Sequence, residues 1–132
     1  MTRREIRECI FCLLFQYNFY EEEEFTEQMA NFLTEKKLSE TNEMEIREKI
    51  DRLTEKLPDI DEKIAANAKG WKLDRIAKAE LAILRLAVFE ALYDESVPVG
   101  VAINEAVELA KMYGEENGYV FVNGILGKIV NE

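Results

Sequence analysis

The sequence predicts an all-α fold, an antiparallel bundle of helices joined by short connections. Three observations carry this. Apolar residues make up 48% of the chain and recur at three- and four-residue spacing. Only two Pro and six Gly interrupt 132 residues. β-branched residues form no alternating runs. A chain of this length buries a core without disulfides and fits one domain.

The elements follow in order. Ile6, Ile10, Leu13, Leu14 and Tyr17 recur at helical spacing, with Cys9 among them, so a helix runs from Arg3 to about Tyr17. Glu21 to Glu24 open a second helix, where negative charge suits the dipole, and Phe25, Met29, Phe32 and Leu33 follow its inner face. "LSETNE" is a connection with Ser39, Thr41 or Asn42 as caps. A third helix spans about Glu43 to Lys56, using Met44, Ile46, Ile50, Leu53 and Leu57. Pro58 breaks it, and a short helix follows to about Ala68, ended by Gly70. A long helix from Lys72 or Asp74 to Tyr93 is apolar on more than one face and should be central, with Glu80 and Arg85 as polar exceptions. "DESVP" is a loop. Two further helices run from about Val99 to Tyr113 and from Gly118 to Val130, linked by "GEEN". Gly124 and Gly127 would let another helix approach the last one closely. Connections this short favour antiparallel neighbours.

Composition removes several function classes. There is no histidine, and serine occurs only at Ser39 and Ser96, so no Ser-His-Asp site, Cys-His site or His-based metal site can be built. No P-loop or GxGxxG occurs. The expectation is a non-enzyme with no cofactor and no metal. The longest apolar stretches, such as "IFCLLF", fall far short of the roughly 20 residues that span a bilayer. No signal-peptide order is present at the N-terminus, so the expected compartment is the cytoplasm. Seventeen basic against 27 acidic residues argue against a nonspecific polyanion binder. A local basic site is still allowed, because screening confines charge effects to about 8–10 Å.

Two segments are locally basic. "TRREIREC" places Arg3, Arg4 and Arg7 at one helix end, where cations oppose the dipole by about a few tenths of a kcal/mol. Guanidinium groups bind phosphates and stack on unpaired bases, so a nucleic-acid contact competes with plain solvated surface. Glu5 and Glu8 intrude on the motif. "KGWKLDRIAK" carries Lys69, Lys72, Arg75 and Lys78, winding slowly around a helix as solvated surface or as an extended nucleic-acid track.

Cys9-x-x-Cys12 reads as packing. A redox pair needs its first cysteine at a helix N-terminus, and two ligands do not make a metal site. Phe15 and Tyr17 close the first helix, and Tyr119 and Phe121 open the last. Beside a basic patch, exposed aromatics stack with single-stranded bases; core packing is the alternative. Glu80, Glu90, Glu105 and Glu108 have no nucleophile or metal ligands beside them, and a salt-bridged face with Lys111 suffices. Asn104 and Asn123, polar in apolar helices, are expected to hydrogen-bond other helices.

"AELAILRLAVFEAL", "VPVGVAINEAVELAKMYG" and "YVFVNGILGKI" resemble, in order and spacing, the NusB family of transcription antitermination proteins. "RREIREC" resembles that family's arginine-rich first helix. The resemblance covers the whole chain, weakly from about 20 to 60 and strongly from about 74 to 129.

It implies about seven helices in two small packed bundles, an N-terminal subdomain of about 1–70 and a C-terminal bundle of about 71–132. It implies binding of the boxA RNA element together with NusE, a ribosomal small-subunit protein, within an RNA polymerase complex that reads through terminators, notably in ribosomal RNA operons. Some relatives form homodimers. The family's basic motif maps onto Arg3, Arg4 and Arg7, and its RNA-surface aromatics onto Phe15 and Phe121; Lys69, Lys72 and Arg75 would extend the track. Glu80 matches an acidic position near the NusE interface, where an acidic face would suit a basic partner. Asn117 stands where many relatives carry an acidic residue implicated in RNA and partner binding. Two alternatives accompany this reading. One is an interaction module that does not bind RNA. The other is an accessory domain related to RNA methyltransferases, for which these 132 residues hold no cofactor-binding domain.

Overall fold

The structure, a computed structural model, describes residues 1–70 and 72–131. Among these residues there are seven α-helices and no strand: α1 (Arg3–Tyr17), α2 (Glu22–Lys36), α3 (Glu40–Glu55), α4 (Leu57–Asn67), α5 (Lys78–Tyr93), α6 (Val99–Tyr113) and α7 (Gly118–Val130). A single 3-10 turn, Leu73–Arg75, precedes α5.

Local chemistry sets the helix ends. Thr2 caps α1 by accepting from the Glu5 N–H at 3.0 Å, and the Glu5 carboxylate accepts from the Thr2 N–H at 2.8 Å. This reciprocal box satisfies two N–H groups that the first turn leaves without partners. It also explains one of the two glutamates that interrupt the arginine motif. The Thr2 N–H holds the Glu5 carboxyl below its usual range. Ser39 caps α3 by accepting from the Asn42 N–H at 3.1 Å, so α3 begins at Glu40, three residues before its expected start. Lys37 ends α2 in the left-handed region.

Helix α5 is the centre. It packs against α6, α7, α1 and α4. Leu81 to Leu84 and Leu86 to Phe89 are all buried, as expected of a helix apolar on several faces. Each such large side chain contributes about 1.5–3 kcal/mol of burial. Ile6, Ile10, Leu13 and Leu14 of α1 join the same core, with Ile46, Ile50 and Leu53 of α3 and Val122, Ile125, Leu126 and Ile129 of α7.

Four expectations change. The long helix starts at Lys78, because Ile76 and Ala77 are extended and Ile76 is buried in the core in that conformation. Met44, assigned to the inner face of α3, is exposed. Asn104 and Asn123 face outward instead of toward other helices; the buried face of α6 is formed by Ala102, Ala106, Leu109 and Ala110. Among the described residues, no helix lies against Gly124 or Gly127, where an added Cβ would meet nothing within 4 Å. The close approach is at Gly118 instead.

Candidate nucleic-acid interface

The three arginines of α1 meet three different environments. Arg3 forks its two terminal nitrogens onto the Glu45 carboxylate of α3, with Nη2–Oε1 at 2.9 Å. Arg4 places Nε 3.2 Å from both oxygens of Glu105 on α6, with Nη2–Oε2 at 3.1 Å. Both arginines are surface groups, their side chains 68% and 71% exposed. The carboxylates raise both guanidinium pKa values further, and Arg3 pulls the Glu45 carboxyl below its usual range.

Arg7 differs, and corrects the expectation of a third surface cation. One helical turn in from Arg3 and Arg4, it shares the inner side of α1 with Ile6 and Ile10 and is buried. Its Nε lies 3.0 and 3.1 Å from the two oxygens of Glu90 on α5, and its Nη1 3.5 Å from Glu105. Glu90 also accepts from Lys49 Nζ of α3 at 2.7 Å, and Lys49 reaches Asp94 at 3.3 Å. Burial disfavours the Asp94 charge, but the Ser96 hydroxyl at 2.6 Å, Lys49 and the Ser96 N–H outweigh it and hold the carboxyl below its usual range. Buried charges persist only when paired and hydrogen-bonded. No buried side-chain nitrogen or oxygen among the described residues lacks a partner. A cavity of about 350 Å³, lined by Arg3, Arg7, Lys49 and Glu90 among others, opens beside this network.

A second cluster lies at the other end of α1. Phe15 is out of phase with the core face, exposed, and stacked edge-on with Phe19 at 5.2 Å between ring centres. Phe19 is 57% exposed. Asn18 ties this end to the start of α5, donating to the Lys78 carbonyl at 3.4 Å and accepting from Arg85 at 3.3 Å. Arg85 in turn forks onto Asp61 at 2.9 and 3.0 Å, which resolves that polar exception in α5.

Beside the start of α5 lies a cleft of about 290 Å³, lined by Arg75, Ile76, Glu80, Asn117, Gly118 and Phe121 among others. Four residues assigned from sequence to two roles, Arg75 and Phe121 to RNA and Glu80 and Asn117 to the protein partner, thus share one cleft. Glu80 is not the exposed acidic group expected. It is buried, and its carboxylate accepts from the Glu115 N–H at 3.1 Å. A Cβ on Gly118 would stand 2.9–3.1 Å from that carboxylate. Glycine at 118 is therefore what lets the acid tuck under the loop between α6 and α7. Asn117 caps α7 with a left-handed backbone, φ 65°, a conformation asparagine tolerates well.

The basic stripe does not wind along a helix. Lys69 sits in a turn with φ 28°, Lys72 is extended, Arg75 ends the 3-10 turn, and Lys78 opens α5. All four are exposed, and none is in an ion pair among the described residues. Cys9 is buried and Cys12 half-buried, both free, and burial pushes both thiols up. That suits packing rather than redox work.

Sequence reasoning missed Phe19, Glu45 and Lys49. Phe19 carried a signal, an aromatic four residues after an out-of-phase Phe15. Glu45 and Lys49 carried none, because their partners lie about forty residues away.

The NusB family profile matches residues 4–131, nearly the whole chain. The chain belongs to the NusB family. The transcription antitermination protein NusB of Lachnoclostridium phytofermentans is 46% identical over 132 residues, covering 99% of this chain and 100% of that protein. Among solved structures, T. maritima NusB superposes with a TM-score of 0.87 at 36% identity, covering 100% of this chain and 92% of that one. A crystal structure of the antitermination factors NusB and NusE in complex with double-stranded RNA superposes with a TM-score of 0.81 at 25% identity, covering 98% of this chain and 96% of that one. The seven-helix architecture is thus the NusB fold.

Proposed function

We propose that this chain is a transcription antitermination factor that binds boxA-type RNA together with NusE and joins an RNA polymerase complex on nascent transcripts in the cytoplasm, notably those of ribosomal RNA operons. Its role is scaffolding, with no catalytic step. The observation that carries this reading is the full-length match, in sequence and in fold, to NusB proteins, one of them solved with NusE and RNA.

Within this reading the RNA contacts divide by environment. Arg3 and Arg4 supply phosphate contacts, and Phe15 and Phe121 supply stacking surfaces. Lys69, Lys72 and Arg75 supply unpaired positive charge along the track. Arg7 acts indirectly, by fixing α1 against α5. Asn117 at the cleft rim meets the protein partner, and Glu80 beneath it shapes the loop that Asn117 ends.

The test is a titration of a boxA-type RNA oligonucleotide with and without NusE across a salt series. The expected result is tighter binding with NusE and a log-affinity that falls linearly with log salt. Absence of RNA binding under both conditions refutes the reading. A complex with NusE that leaves RNA unbound would then favour the interaction-only module, the alternative that Glu5, Glu8 and the net charge of −10 support.

A further inference from the structure

The two exposed arginines of α1 are already engaged. Arg3 presents both terminal nitrogens to both oxygens of Glu45, and Arg4 presents Nε and Nη2 to Glu105. These are the same donor forks with which a guanidinium grips a phosphate. We infer that Glu45 and Glu105 are built-in competitors for the RNA phosphates, holding Arg3 and Arg4 until RNA displaces them. The inference rests on the RNA-binding reading above and concerns the regulation of that same site.

Three features make the exchange feasible. First, both arginines keep most of their side-chain surface open, at 68% and 71%, so a phosphate can reach them before the carboxylates leave. Second, neither acid is stranded by the exchange. Glu105 keeps Arg7 Nη1 at 3.5 Å, and Glu45, at the surface, is taken up by water. Third, the Arg3–Glu45 pair is open to solvent on both sides, at 68% and 36%, and such pairs are weak, so an incoming phosphate is an adequate replacement. Protonation does not relieve the competition near neutral pH, because Arg3 depresses the Glu45 carboxyl further.

Counterions supply a specific signature. Phosphate neutralisation releases cations condensed on the RNA, and the freed Glu45 carboxylate, left in water, recruits cations back from solution. The salt slope is therefore shallower than the number of phosphate contacts requires. Removing the Glu45 carboxylate should steepen the slope of log affinity against log salt by up to about 0.7 for single-stranded RNA. It should also raise affinity about two- to five-fold, the range set by an exposed pair.

The experiment compares wild type with Glu45→Gln, Glu105→Gln and Glu48→Gln, each titrated with a boxA-type RNA in the presence of NusE across a salt series. Glu48 is exposed on α3 and in no ion pair among the described residues, so its variant makes the same charge change without freeing an arginine. Glu45→Gln is a surface change, so its result does not depend on the buried Arg7. The expected result is tighter binding for Glu45→Gln and Glu105→Gln and a steeper slope for Glu45→Gln, with the slope of Glu48→Gln unchanged. Equal gains in all three variants overturn the inference, since overall charge alone would account for them. RNA binding by wild type with no gain in the Glu45 and Glu105 variants also overturns it while leaving the functional reading intact. No binding by any form refutes both.

Discussion

Glu90 on α5 is the acid on which three helices converge, and replacing it should reveal how much of the fold depends on that convergence. The side chain is 1% exposed and is held by two charged donors through three contacts: Arg7 Nε on both oxygens at 3.0 and 3.1 Å, and Lys49 Nζ at 2.7 Å. Removing one member of a buried ion pair costs about 3–5 kcal/mol, because the partner's charge is left uncompensated. Here each orphan keeps a second acid, Arg7 having Glu105 at 3.5 Å and Lys49 having Asp94 at 3.3 Å. The loss for Glu90→Ala should therefore lie at the low end, about 3 kcal/mol. With a urea slope of about 2 kcal/mol/M, the midpoint falls by about 1.5 M. Glu90→Gln keeps the volume but turns an amide NH₂ toward a cation, for a loss of about 2 kcal/mol. Urea denaturation followed by circular dichroism measures both. A double-mutant cycle with Arg7→Met should give a coupling of about 1–3 kcal/mol. A loss below about 1 kcal/mol for Glu90→Ala at unchanged slope, or strict additivity in the cycle, would refute the reasoning.

Two further outcomes are expected. Gly118→Ala places a Cβ 2.9–3.1 Å from the Glu80 carboxylate, so it should destabilise the chain by about 1–3 kcal/mol, and an unchanged urea midpoint would overturn this. Tyr113 donates its hydroxyl to Glu8, and that bond, with burial and the Glu8 charge, pushes its phenol up from 10.0 to about 12. A raised folded-state pKa means that the stability from this bond is fully present below pH 10 and lost as pH rises through about 12. An absorbance titration should show one late phenol that Tyr113→Phe removes.

The helices were legible because burial follows period. Along α1 the core set Ile6, Ile10, Leu13, Leu14 falls on one side, and Phe15 stands out by failing to join it. The same period places Arg7 with that core set, so its burial was written in the helix phase; its partner was not, lying 83 residues away on α5. Segment 72–77 misled because the apolar spacing runs on through Leu73 and Ile76, while tertiary packing takes Ile76 in an extended conformation. Asn104 and Asn123 misled for the opposite reason. A polar residue in an apolar helix says that it needs hydrogen bonds, not that protein supplies them, and both line an open groove between α6 and α7. The Thr2–Glu5 box was present as T-x-x-E at the front of the chain, which accounts for Glu5 without reference to RNA.

The contradiction between a basic site and a net charge of −10 takes a different form once pairing is known. Around the start of α1, Arg3, Arg4, Arg7 and Lys49 face Glu45, Glu90, Asp94 and Glu105, so the charges there nearly cancel. Beyond a Debye length of about 8 Å a polyanion meets little net attraction at that end. Lys69, Lys72, Arg75 and Lys78 are exposed and in no ion pair among the described residues, and only Asp74 lies within their run. On the proposed RNA-binding reading, long-range attraction for RNA would come from Lys69, Lys72, Arg75 and Lys78, beside the cleft of Phe121. On the inference drawn above, the α1 arginines, bound to carboxylates, would add to affinity only after contact, by exchanging one anion for another. An end that exchanges anions discriminates by the geometry of the phosphate fork rather than by charge alone. On that reading, a strongly acidic chain would hold RNA at a defined place without attracting it everywhere.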